Sequence, residues 1–125
     1  MSTYYIGYDI GSSSIKVSLV DTESGKNLAS LHEPQNEMEI LSLQKDWAEQ
    51  DPNLWWKHIC TATKKVISTT NVDATKIVGI GIAYQMHGLV IVDKHENPLR
   101  TPIIWCDSRA IELWDKAVEE LGKEK

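Results

Sequence analysis

The sequence predicts an α/β fold built on a mixed sheet that starts with an antiparallel three-strand meander. Three observations carry this expectation. Apolar residues alternate with period two through residues 4–33, interrupted by short polar turns. A capped stretch of helical periodicity follows from residue 51, and a nearly continuous apolar run comes at 76–84. Strands in succession, then strands linked through helices, argue for a sheet with both antiparallel and parallel neighbours.

Residues 4–10 are rich in aromatic and branched side chains and form the first strand. Gly11 to Ser14 break it. Ile15, Val17 and Leu19 then alternate with Lys16 and Ser18 over 15–21, the second strand. "TESGKN" is a turn, and 27–33 forms the third strand. Residues 34–50 read as a loop with at most a short extended piece, and loops of this length in small domains are commonly functional. "DPNLWW" opens a helix with Asp51 as N-cap and Pro52 in its first turn. Trp56, Ile59, Cys60, Thr63, Val66 and Ile67 give it one apolar face up to about Thr69, with Trp55 and Trp56 read as core. The run "KIVGIGIAY" suits a strand buried on both faces. A further strand is expected at 89–93 and an extended segment at 101–107. Asp107 or Ser108 then caps a second helix whose stripe is Ile111, Trp114, Val118 and Leu121. Gly122 and the cations of "KEK" end it.

At 125 residues the chain suits one domain with its own core, and 42% apolar with 25% charged residues is an ordinary globular composition. The net charge of −5, without a basic block, argues against nucleic acid or anionic membrane as partner. No apolar run approaches the ~20 residues that span a bilayer. No signal peptide is visible, and Cys60 and Cys106 lack CxxC spacing, so reduced thiols and a cytoplasmic location are expected.

Three segments offer chemistry. "YDIGSSSIK" at 8–16 does not match the P-loop pattern. Its Gly-Ser turn can still present backbone N–H groups in an anion nest. Hydroxyls from Ser12, Ser13 and Ser14 and the charge of Lys16 add to it, and Asp9 at a strand end could hold magnesium through water. A polar hairpin whose Asp and Ser bond their own backbone is the alternative, and spacing alone leaves both open. The polar trio Tyr84, Gln85 and His87 comes at the end of the apolar run, at a strand end where α/β proteins place ligands; a surface loop explains them equally well. "WCDSR" at 105–109 joins an aromatic ring, a carboxylate and a guanidinium. That set suits a polyol, or a core Trp beside an N-cap Asp. The histidines at 32, 58, 87 and 95 have no zinc spacing.

Taken together, "YIGYDIGSSSIKVSLVD", "WAEQDPNLWW", "GIGIAYQMHGLVIVD" and "PIIWCDSRA" resemble, in order and spacing, the N-terminal motifs of the FGGY carbohydrate kinases. The resemblance covers most of residues 4–112. Met86-His87-Gly88 and WCDSR look most like members acting on ketoses such as D-xylulose, while glycerol-phosphorylating members differ at Met-His. Cys106 stands where close members tend to have Asn.

The resemblance implies the ribonuclease-H-like, actin-like ATPase fold, with ATP and Mg2+ bound between two domains. It implies that Asp9 lies on the metal and γ-phosphate side and that Gly11, Ser12, Ser13 and Lys16 bind phosphate. Gln85, Met86, His87, Trp105 and Asp107 are the implied substrate-binding residues, and the partner is a small-molecule sugar. The family's catalytic base is an Asp from beyond residue 125. Residues 1–125 are therefore expected to be the first part of the first domain and inactive alone, with a homodimer left open. The competing readings are a non-kinase actin-like ATPase or switch domain, and another FGGY sugar or polyol kinase.

Overall fold

The computed structural model describes residues 2–122. The elements in order are β1 (Tyr4–Ile10), β2 (Ile15–Asp21), β3 (Asn27–Glu33), α1 (Pro52–Thr70), a short 3-10 turn at Ala74–Lys76, β4 (Ile77–Tyr84) and α2 (Ile111–Leu121). They divide into two compact units, one of residues 2–39 and 51–86, the other of residues 40–50 and 87–122.

The first unit is a four-stranded sheet in the order β3-β2-β1-β4. β1–β2 and β2–β3 pair antiparallel, whereas β4 returns after α1 to pair with β1 in parallel. The sheet is therefore mixed, and the meander occupies the residues that alternation predicted. Ile6, Val17 and Leu19 project from one face and are buried with Ala62 and Val66 of α1. Burial of each larger side chain contributes roughly 1.5–3 kcal/mol. Tyr8 and Thr63 share a 2.7 Å hydrogen bond across the same layer.

α1 begins where its caps require. Asp51 is extended, its carboxylate accepts the Asn53 N–H at 2.9 Å, and Pro52 occupies the first turn, where no N–H is needed. It ends at Asn71, whose left-handed backbone (φ 52°) is one Asn tolerates.

The predicted inward face of α1 is rotated. Ala62 and Val66 are the buried residues, and Trp56, expected in the core, is 68% exposed. α1 packs chiefly on β2 and β3, so its Trp56–Ile59–Cys60 side overhangs β4 and lines an open apolar hollow with Ile80 and Ile82. β4 is for the same reason not buried on both faces. It is one of the two edge strands among the described residues, and Val78, Ile80, Ile82 and Tyr84 are all more than half exposed. Gly79 does allow a close approach, since a Cβ there would strike the Tyr5 ring at 2.8 Å.

The second unit has less regular structure than the alternation at 89–93 and 101–107 suggested. These segments make isolated antiparallel bridges, Leu89 with Ile103 and Val92 with Pro98, and Glu49 bridges both Leu41 and Ile103. The segment 40–50 is thus tied into a narrow ladder that ends in the buried run Ala48, Glu49, Gln50. The expected cap of α2 is also different. Ala110 precedes the helix with no side-chain cap, because Asp107 is engaged elsewhere and the Ser108 hydroxyl donates to the Asp46 carbonyl. Ile111, Trp114 and Leu121 of its apolar stripe are exposed. Gly122 closes the helix through its N–H to the Val118 carbonyl, and the "KEK" cations lie outside the described residues. No helix among the described residues is long and apolar enough to cross a membrane. Both cysteines are free, Cys60 half-buried and Cys106 exposed.

Candidate functional site

The turn between β1 and β2 closes tightly, with the Gly11 N–H donating to the Ser14 carbonyl at 3.1 Å. A Cβ on Gly11 would lie 3.1 Å from that carbonyl oxygen, so the close approach favours glycine. Ser13 uses its carbonyl to accept the Met38 N–H at 2.8 Å, which pins the start of the following loop. The turn therefore has a fixed backbone, and the Ser13 residue stands exposed at its tip.

Asp9 and Lys16 face each other in the antiparallel register, one step below the turn. Lys16 Nζ lies 3.4 Å from Asp9 Oδ2, and both side chains are largely exposed. A weak exposed pair of this kind contributes little to stability and is free to exchange partners with an anion and a cation. Beside it the sheet face is bare. Gly7 and Gly81 are paired in register, and neither would have a neighbour within 4 Å of a Cβ. With Asp9, Lys16, Ser18 and Ala83 they line an open concavity of about 480 Å³.

The parallel pairing of β1 with β4 brings Gln85 to this end of the sheet. Register runs from Tyr4 to Ile10 opposite Ile77 to Tyr84, and the Gln85 N–H donates to the Ile10 carbonyl at 2.9 Å. Gln85 thus follows directly on the strand end that leads into the Gly-Ser turn. Both polar atoms of its side-chain amide are buried, with no partner among the described residues. Leaving a buried amide unpaired costs on the order of 1–3 kcal/mol, and this is the one such side chain among the described residues. Met86, the last residue of the unit, is 62% exposed.

His87, Trp105 and Asp107 belong to the second unit. His87 is exposed and held at φ 63°, a left-handed conformation uncommon for a residue with a Cβ. Two residues later Leu89 bridges Ile103, by N–H to carbonyl bonds of 2.8 and 3.2 Å, and two residues after Ile103 stands Trp105, 58% exposed. The bridge therefore presents the imidazole and the indole from neighbouring segments.

Asp107 is not a free carboxylate. Oδ2 accepts the Ala48 N–H at 2.7 Å, and both oxygens accept from the Arg109 guanidinium at 2.7–2.9 Å. The Arg109 hydrogen bonds, with the Ala48 N–H, hold its carboxyl at about 2, well below the usual range. Arg109 also reaches Glu49 at 2.7 Å and lies 3.8 Å over the Trp47 ring. Glu49 accepts from Thr101 and Arg100 as well, and its carboxyl is lowered by the Thr101 hydroxyl first and by the two guanidiniums. Reading the sequence singled out Asp107 and missed Glu49, Arg100 and Trp47. The available signal was a carboxylate inside the otherwise compact "WAEQ" run, and its arginine partners were too far away in sequence to suggest it.

Among the described residues no group of three or more His, Cys, Asp or Glu converges as a metal cage. Asp9 alone beside a bare backbone fits magnesium of the kind that binds through one or two carboxylates and takes most other ligands from phosphate and water.

Residues 4–125 match the FGGY family of carbohydrate kinases, N-terminal domain. The chain is 34% identical over 119 residues to the xylulose kinase of Bacillus subtilis, covering 95% of this chain and 23% of that protein. Among solved structures, the gluconate kinase from Lactobacillus acidophilus aligns with a TM-score of 0.83 at 26% identity, over 98% of this chain and 23% of the other. The ligand-bound xylulose kinase from the same organism aligns with a TM-score of 0.81 at 27% identity, over 96% and 23%. The chain spans about a quarter of the length of these relatives.

Proposed function

The chain belongs to the FGGY family of carbohydrate kinases, and from that premise we propose that it supplies the phosphate turn and sugar-facing residues of an ATP-dependent ketose kinase, with D-xylulose as substrate. Its fold is that of the actin-like sugar kinases. The observation that carries the reading is the parallel β1–β4 pair. It sets Asp9 and the Gly-Ser turn beside Gln85, whose buried amide lacks a partner.

Phosphoryl transfer rests on positioning and charge stabilisation. In this reading Gly11 shapes the turn, its own N–H being given to the Ser14 carbonyl, Ser12 and Ser13 offer donors to the ATP phosphates, and Lys16 leaves Asp9 to meet an anionic oxygen. Asp9, released from Lys16, would be the carboxylate that holds Mg2+. The metal, when bound with ATP, offsets negative charge on the phosphates. In the first unit Gln85 and Met86 face the sugar, the amide taking a hydroxyl as both donor and acceptor. In the second unit His87 donates or accepts at a hydroxyl, and Trp105 offers a flat apolar surface to the C–H face of the sugar. Asp107 serves the sugar indirectly. Its oxygens are occupied by Ala48 and Arg109, so it shapes the loop that carries Trp105.

The intact protein is read as cytoplasmic, where ATP is abundant and free thiols such as Cys60 and Cys106 stay reduced. A non-kinase ATPase would use the turn but has no need of the Gln85–His87 and Trp105 segments, and nothing in the geometry favours it. The test is ADP formation by the intact protein with Mg2+ and ATP over a panel of ketoses, aldoses, polyols and sugar acids. Sugar-dependent turnover that is highest with D-xylulose supports the reading. Turnover independent of any sugar refutes it.

A further inference from the structure

Glu49 is 1% exposed, and no backbone need explains a carboxylate there. One of its oxygens accepts from Arg109 at 2.7 Å and from Arg100, the other from the Thr101 hydroxyl. Arg109 in turn grips Asp107 through both carboxylate oxygens, and Asp107 accepts the Ala48 N–H. Two buried carboxylates and two guanidiniums thus form a chain, Arg100–Glu49–Arg109–Asp107, with the Arg109 guanidinium carbon 3.8 Å over the Trp47 ring. The backbone around it runs in register, with Gln50 N–H to the Pro102 carbonyl at 3.2 Å and Ile104 N–H to the Ala48 carbonyl at 3.0 Å.

A buried ion cluster is a poor way to gain stability, because apolar side chains of similar volume do as well or better. What such a cluster does offer is a single geometry, since Arg–carboxylate forks are directional. The geometry it fixes here is that of residues 104–109. Those residues lead directly to the exposed Trp105, and through the Leu89–Ile103 bridge to His87 with its left-handed backbone. A non-glycine residue persists in that conformation when its surroundings over-determine it.

We propose that Glu49 is a positioning residue which, through Arg109 and Asp107, sets the orientation of the Trp105 and His87 segments and thereby the sugar affinity of the intact protein. The affinity part rests on the kinase reading above; the ordering of the loop does not.

The experiment compares the intact wild-type protein with Glu49→Gln, Arg109→Lys and Thr101→Ser. Hydrogen exchange is read at 87–89 and 104–109, and KM for D-xylulose and for ATP is measured with kcat. Glu49→Gln removes the charge. Arg109→Lys keeps the charge but loses the fork, and it serves if the first variant does not fold. Expected are exchange faster by roughly tenfold or more in both segments, unchanged exchange in β1–β3, and a rise in sugar KM of similar size with ATP KM unaltered. Thr101→Ser, which retains the hydroxyl, is expected to behave as wild type. Exchange at 87–89 and 104–109 within twofold of wild type in both Glu49→Gln and Arg109→Lys overturns the proposal. So does an equal rise of both KM values, which marks general loosening. If wild type phosphorylates no sugar, the kinase reading and the affinity claim fall together, and the exchange data still decide whether Glu49 orders the loop.

Discussion

Asp107→Asn isolates the charge at the base of the Trp105 loop while nearly preserving its shape. The Asp107 side chain is 4% exposed and its carboxyl is held at about 2, against an ordinary value of 3.8. One pKa unit corresponds to about 1.4 kcal/mol, so the charged form is favoured in the folded loop by roughly 2 kcal/mol. Because the folded value is depressed, this stabilisation is present in full above pH ~4. It is lost as pH falls through about 2, where the folded-state carboxyl takes up its proton. Hydrogen exchange at the Ala48 and Arg109 amides reads the effect directly, since both donate to Asp107. At pH 7 the variant is expected to exchange at these amides between ten and a hundred times faster than wild type, about 1.4 kcal/mol being a factor of ten. The difference should narrow as pH drops from 4 towards 2. Glu49 is also lowered and shares Arg109 with Asp107, so the same comparison is repeated in a Glu49→Gln background, where Glu49 does not titrate. Equal exchange in the two proteins at pH 7, or a difference that persists unchanged at pH 2, would refute the assignment of Asp107 to the loop.

Three further outcomes are expected. Asp51→Ala removes the acceptor of the Asn53 N–H and should lower stability by about 1 kcal/mol in urea titrations, with faster exchange in the first turn of α1. Leu19→Ala, at a fully buried position in the sheet, should cost about 2–5 kcal/mol; a loss below 1 kcal/mol would contradict its place in the core. His87→Ala in the intact protein should raise the sugar KM. His87→Gly, which relieves the left-handed backbone, should raise it no less, because the missing imidazole matters more than the strain.

The meander was legible because β1, β2 and β3 each present one face to α1, which imposes period two on Ile15, Val17 and Leu19. Asp51-Pro52 named the start of α1 because its cap is local. β4 misled for a physical reason. Its composition is that of a strand enclosed on both sides, yet it lies at a sheet edge where α1 overhangs it without covering it. Residues 89–93 and 101–107 alternate like strands but make only isolated bridges. The Gly-Ser turn was readable from Asp9 to Lys16, since its members are consecutive. The Glu49–Arg109–Asp107 cluster was not, because it joins residues some sixty positions apart and so leaves no local pattern. Asp107, expected at the sugar, was recognised as chemically important, but its partners were invisible in the sequence.

The most direct test of the central claim is Asp9→Ala in the intact protein, with kcat for sugar-dependent ADP formation measured beside the D-xylulose dissociation constant. Asp9 lies on the bare Gly7–Gly81 face with Lys16 as its one ion-pair partner among the described residues, so its removal should leave the core untouched. The expected result is a kcat lowered by about a hundredfold or more, as for loss of a group acting on developing charge, with sugar affinity within a few-fold of wild type. Turnover at the wild-type rate would contradict the place given to Asp9 on the phosphate side of the site.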